Sequence, residues 1–345
     1  MAQFTLDDAK KLSQSKLTNH VIDEFRKSPL MDAMIFDDCV KPQGGDSLSY
    51  VYNRVSTWPT AEGRAINSEY QTKDVAKTTQ YTVDLKIFGG AFDLDRVLIN
   101  HEKQVITNQL TFQMDQKIKA TRALFNDWFI NGDSAGTDKN SFDGLNKAIK
   151  DTATDYKPAA ILDMSSAAAI EQNWKTFLYY IRQVRKLMDG APTLMAVNDD
   201  MFAVFQTVAD YSAQFTATKT DMGSEIVKYG TTTIMSMGDK PGKSKQIIET
   251  NETDGTSPIY FARLGLDGVH AVTPDGQKAP KTYLPNLSLP GAVKTGEVEM
   301  IAAMAVKATK SAAVLRNIKV APVPVQTADD EEERVEASEP DSMKE

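Results

Sequence analysis

The chain has 345 residues, 41% hydrophobic and 25% charged, enough for one large or two ordinary domains with a substantial buried core. Its formal charge of −8 is concentrated at one end: residues 321–345 carry nine acidic side chains against Arg334 and Lys344, a net of −7, which leaves −1 for the rest (−8 minus −7). A body so near neutral excludes a protein whose affinity comes from neutralising phosphates, and a single cysteine, Cys39, excludes an internal disulfide and a cysteine-built metal site.

Residues 1–46 read as an arm with some helix, in which Phe4, Leu6, Leu12, Leu17, Val21, Ile22 and Phe25 are scattered among charges and need a partner surface. The first twelve residues lack the apolar run of a signal peptide. No segment reaches the roughly 18 to 20 apolar residues that span a bilayer, so assembly in a reducing cytoplasm away from membranes is expected. The run from Ser47 to Thr57 and the alternating run from Thr79 to Phe88 read as the two strands of one long hairpin within residues 47–95. Between them lie about 20 residues, far more than the usual 2 to 5 of a hairpin loop. Their polar side chains suggest either a surface excursion or an arm reaching onto a neighbouring subunit. In the second reading Trp58, Glu62, Arg64, Glu69, Lys73 and Lys77 are the candidate intersubunit contacts.

After Gly89-Gly90, Asp95 is placed to cap a helical region over residues 96–131. Ile106, Leu110, Met114, Ile118, Phe125 and Phe129 form its apolar stripe, Asn100 is a candidate interruption, and Asn131-Gly132 tolerates the left-handed conformation that ends helices. A compact α/β region follows from about residue 150. Ser165 or Ser166 caps a helix stopped by Gly190 and Pro192, Thr193–Val197 is a short strand, and Asn198-Asp199 opens a second helix to Ala209. Strand-like runs recur at 231–237, 246–249, 259–264, 269–272, 298–308 and 312–320, the last two split at Thr309–Ser311. Residues 321–345 have the composition of an acidic disordered tail.

Gly132-Asp133-Ser134-Ala135-Gly136 fits the G-x-S-x-G of a serine hydrolase, with Ser134 as nucleophile and His270 the only downstream histidine. The context opposes it: the elbow needs a strand before the serine and a helix after, whereas a long helix precedes Ser134 and an Asp-Gly turn follows. His101-Glu102 starts an H-E-x-x-H, but Val105 stands where the second histidine belongs, and His20 is isolated, so no metal is expected. Asp37-Asp38 lies in the arm and Asp199-Asp200 at a helix start, where acid is favoured by the dipole. With no phosphate loop or dinucleotide fingerprint either, no cofactor is expected, and a serine esterase remains the alternative from another class.

The order of parts is arm, long hairpin with an oversized tip, long helix ending in Asn-Gly-Asp, compact α/β region and returning strands. It resembles the major capsid proteins of tailed double-stranded-DNA bacteriophages, whose fold is shared with encapsulin shells and the herpesvirus capsid floor. The resemblance rests on Trp58 with Glu62-Gly63, on Phe88-Gly89-Gly90-Ala91-Phe92, on Phe125 through Asp133, on Phe142-Asp143-Gly144-Leu145, and on the helix-strand-helix order of 165–209. It implies an α+β capsid fold: arm 1–46, extended hairpin loop 47–95, peripheral domain with spine helix 96–149, axial domain 150–290, a peripheral return strand at 291–310, an axial strand at 311–320, and the tail. It further implies a non-enzymatic protein that assembles as hexamers and pentamers into an icosahedral virion capsid in the bacterial host cytoplasm. The partners implied are a separate scaffolding protein, since the chain has no room for a fused one, a portal protein, a decoration protein where one exists, and packaged double-stranded DNA contacted without sequence reading. An encapsulin-type nanocompartment is the alternative within the fold.

Overall fold

The structure, a computed structural model, describes residues 30–39, 47–72, 74–96, 103–136, 138–219, 225–242, 245–286, 288 and 290–320. The arm before Leu30, Asn100, His101, Glu102, Lys73 and the tail beyond Val320 lie outside these residues.

Two sheets and two apolar cores organise the chain. One sheet is centred on the long strand Val293–Val306, which pairs antiparallel with Lys86–Asp95, Val269–Thr273 and Lys281–Tyr283; Phe36–Asp38 adds in parallel to Val269–Thr273. The other has eight strands, with Ala312–Lys319, Thr256–Ala262, Leu194–Val197 and Thr232–Ser236 at its middle. A short 3-10 turn, Thr309–Ser311, carries the chain from the first sheet to the second. The segment 150–290 thus supplies strands to both sheets, since 269–273 and 281–283 pair with the long strand.

The 29-residue helix Lys103–Asn131 is about 44 Å long at 1.5 Å per residue and lies against the first sheet. Its C-terminal end is sunk in the core through Phe125, Trp128, Phe129 and Ile130, while Leu110, Met114 and Ile118 are half-buried. Three of the segments that carried the resemblance prove to be one packing unit. Phe88 meets Trp128 at 5.0 Å between ring centroids, Trp128 meets Phe142 edge-on at 5.6 Å, and Phe125 lies 5.5 Å from Phe142. Edge-to-face and offset aromatic pairs of this kind add to the stabilisation from burial alone.

The glycines do other work than expected. Gly89-Gly90 lies in the middle of the strand Lys86–Asp95, of which Asp95 is the last residue. Gly89 has φ +155°, and a Cβ there would sit 1.9 Å from the Val298 carbonyl oxygen on the paired strand. Neither Asn131 nor Gly132 adopts positive φ. Gly132 is required for space: its Cβ would lie 2.1 Å from the Phe142 carbonyl oxygen, because the chain folds back and Gly144 N–H donates to Gly132 O at 2.8 Å.

In the second core, Ser166 caps the helix Ala167–Leu187 by accepting from Ala169 N–H, and Gly190, at φ +97°, turns the chain after it. Asn198 caps Asp199–Tyr211 through Met201 N–H. Residues 246–249 form only an isolated bridge, between Gln246 and Asp239. The hairpin Phe215–Lys219 with Glu225–Tyr229, which extends this sheet to its edge, was not legible in the hydrophobic pattern.

Candidate assembly surface

The strands Ser49–Thr57 and Lys77–Asp84 pair antiparallel from Ser49 opposite Asp84 to Thr57 opposite Lys77, with an irregularity between Val55 and Thr57. Among the described residues they pair with no third strand, so the hairpin is a two-stranded ribbon. Such a ribbon is marginal by itself in water, and side chains at its root supply what holds it to the body. Tyr50 donates to Asp37 Oδ2 at 2.5 Å and Tyr52 to the Val306 carbonyl at 2.9 Å. Arg54 donates to the Val306 carbonyl at 2.7 Å and the Lys307 carbonyl at 2.9 Å, with its guanidinium 4.4 Å from the Tyr81 ring centroid. Sequence reasoning missed this root; its signal was the alternation of Tyr50, Tyr52 and Arg54 on one strand face.

The tip closes on itself. Glu62 accepts from Gln71 N–H, from Thr72 N–H at 2.7 Å and from the Thr72 hydroxyl at 2.7 Å, and these bonds hold its carboxyl below the usual range, the Thr72 backbone bond foremost. Asp74 accepts from Thr60 N–H and hydroxyl at 2.8 and 2.9 Å. Arg64 lies 5.5 Å from the Tyr70 ring centroid and donates to the Ser68 carbonyl. Of the candidate contacts, Glu62 and Arg64 therefore use their polar groups inside the tip, Glu69 is exposed, Lys77 begins the returning strand, and Lys73 lies outside the described residues. Large apolar side chains also stand in solvent on the tip: Trp58 is 80% exposed, Ile66 91% and Val75 68%. Ile66 and Val75 were not singled out from the sequence; two isolated apolar residues in a polar loop were their only sign.

Ser134 follows the long helix, not a strand. Its hydroxyl donates to Asp143 Oδ1 at 2.6 Å, and Lys147 Nζ sits 2.6 Å from Asp133, 2.8 Å from Asp143 and 3.4 Å from Ser134 Oγ. Asp133 first and Asp143 second raise the lysine pKa, so it is a fixed cation and not a base for the serine. His270 is fully buried, beside Asp37 and the Tyr50 ring.

The described residues thus form a two-stranded hairpin, a long helix on one sheet and a second α/β layer. Sequence comparison finds no matching family model and no matching curated protein. Structural comparison gives the SrpI encapsulin complex of Synechococcus elongatus PCC 7942 at TM-score 0.59 and 12% identity, covering 95% of this chain and 100% of that one. The capsid of Myoviridae phage XM1 matches at TM-score 0.52 and 9% identity over 88% and 97%. The capsid of the native GTA particle matches at 0.53 and 10% over 90% and 99%. The chain has the fold shared by these capsids and the encapsulin shell. No helix among the described residues is long and apolar enough to cross a membrane.

Proposed function

We propose that this protein is the major capsid subunit of a tailed phage, assembling as hexamers and pentamers into a closed icosahedral shell around double-stranded DNA. The observation that carries this reading is the hairpin. Among the described residues the ribbon is tied to its own body at the root, while its tip uses Glu62, Arg64 and Asp74 internally and points Trp58, Ile66 and Val75 outward, which leaves apolar surface for another chain to cover. Hiding apolar surface of that kind contributes roughly 1.5–3 kcal/mol per large side chain, repeated at every copy of a shell. Scaffolding, portal and decoration proteins enter as partners to be sought on purified particles, and the location would be the virion, assembled in host cytoplasm.

Negative-stain imaging of the expressed chain, with an ester-hydrolysis assay of wild type and Ser134→Ala, tests the reading. Capsomers or shells are expected, with no hydrolysis above background in either protein. A discrete monomer whose hydrolysis disappears in Ser134→Ala would instead establish the esterase. Because the chain also spans the encapsulin subunit, the contents of the particles separate two kinds of shell: nucleic acid marks the phage capsid, protein cargo the nanocompartment.

A further inference from the structure

His270 occupies a position the shell reading does not explain. Its strand runs between Phe36–Asp38 and Val293–Val306, opposite Ala305, and its ring has no solvent exposure. Neither ring nitrogen makes a hydrogen bond of ordinary geometry among the described residues, and only the Gly265 and Gly268 backbone groups approach it weakly. An unpaired buried polar group is costly and persists when something else is gained. What covers the ring is the hairpin root, for Tyr50 packs edge-on to it at 5.6 Å between centroids.

The charged groups around it are few. From Phe36–Asp38 comes Asp37, with Oδ2 3.9 Å from His270 Nε2. That oxygen also accepts from Tyr50 and lies 3.8 Å from Lys307 Nζ. Lys307 follows the long strand and stands 5.2 Å from the Tyr50 ring centroid. Gly265 and Gly268 lie on the remaining side with backbone groups that favour the charged ring, and Asp267 there is paired with Arg263 at 2.6 Å. From the hairpin root come Tyr50, Tyr52 and Arg54, with Asp84 opposite Ser49 at its base, and Asp38 and Cys39 flank Asp37 as further groups that act on Tyr50.

We propose that His270, Asp37, Tyr50 and Lys307 form a proton-operated latch that holds the hairpin root to the body at neutral pH and releases it on acidification. Burial first, and Lys307 second, push the ring down to about 4. With Tyr50 swung away the ring meets water and returns toward its ordinary 6.5. The depressed value belongs to the closed state, so the latch is at full strength above about pH 6.5 and weakens as pH falls toward 4. Between about pH 7 and pH 5 the open-to-closed ratio rises about 20-fold. This inference does not rest on shell formation, because it concerns the hairpin and body of one chain.

Hydrogen exchange on the full-length chain, corrected for the intrinsic pH dependence of exchange, reads the latch directly. Amides of 49–57 and 77–84 are expected to open about 20-fold more at about pH 5 than at about pH 7, while 256–262 and 312–319 stay unchanged. His270→Gln is expected to abolish that response. Tyr50→Phe keeps the ring cover but loses the bond to Asp37, and is expected to raise exchange at neutral pH while keeping the acid response. An unchanged acid response in His270→Gln, no response in wild type, or equal acceleration in the reference strands would overturn the latch. Should His270→Gln fail to fold, the isotope-labelled His270 ring in the wild-type chain decides. Titration near 6.5 with the hairpin still protected overturns the proposal, and a ring that charges only as the hairpin opens supports it.

Discussion

Replacing Trp58, Ile66 and Val75 together with serine is expected to leave a folded, soluble subunit that no longer closes into shells. These side chains touch little among the described residues, so the melting temperature should move by no more than a degree or two. Their loss removes roughly 4–9 kcal/mol of burial per hairpin contact if all three are covered on a neighbour. Even a fraction of that, repeated over every subunit, suffices to prevent closure. Sedimentation of variant and wild type under one assembly protocol checks the result. Shells of normal size and yield would remove the tip from the assembly mechanism.

Gly89→Ala is expected to have the largest effect on the subunit itself. Its Cβ would lie 1.9 Å from the Val298 carbonyl oxygen, which is strand backbone and not a side chain that can swing aside, and Gly89 also holds φ +155°. Relief requires the strands Lys86–Asp95 and Val293–Val306 to separate, loosening Phe88 from Trp128 and Phe142. The expected loss is about 3–5 kcal/mol, against a total stability for a domain of about 5–15 kcal/mol. Urea denaturation measures it; a loss below about 1 kcal/mol would mean that the sheet yields at this point.

The contrast between these two sites shows what was legible in the sequence. The first hairpin strand, the long helix, Ser166 and Asn198 as caps and the split at Thr309–Ser311 announce themselves through local chemistry, periodicity and capping geometry, whereas the run read as Thr79–Phe88 breaks at Leu85: Lys77–Asp84 returns along the hairpin and Lys86–Asp95 pairs with Val293–Val306. Gly89 is demanded by a strand more than 200 positions away, and no local pattern reports such a contact. The same holds for Gly132, where helix-end chemistry suggested left-handed backbone and the fold uses the missing Cβ instead. At the candidate surface, charge drew attention to Glu62 and Arg64, yet the tip consumes those groups and leaves its apolar residues outside. His270 could be read as structural from its apolar neighbours, but its place beneath Tyr50 depends on four segments meeting.

Ser134 illustrates how flanking structure decides the meaning of a motif. G-x-S-x-G is present letter for letter, yet the serine hydroxyl is committed to Asp143 and the adjacent lysine is held cationic between two carboxylates. The segment clasps the end of the long helix to the turn at Phe142–Gly144.

The central claim is that the hairpin of one subunit lies on another, and photo-crosslinking from the tip tests it most directly. With a benzophenone amino acid at position 66, irradiated particles are expected to give chain-to-chain dimers and higher ladders on denaturing gels. The same chain dispersed before irradiation should give none. Assembled particles that yield only single chains after irradiation would contradict the account, because the most exposed large apolar side chain of the tip would then have no neighbour to meet.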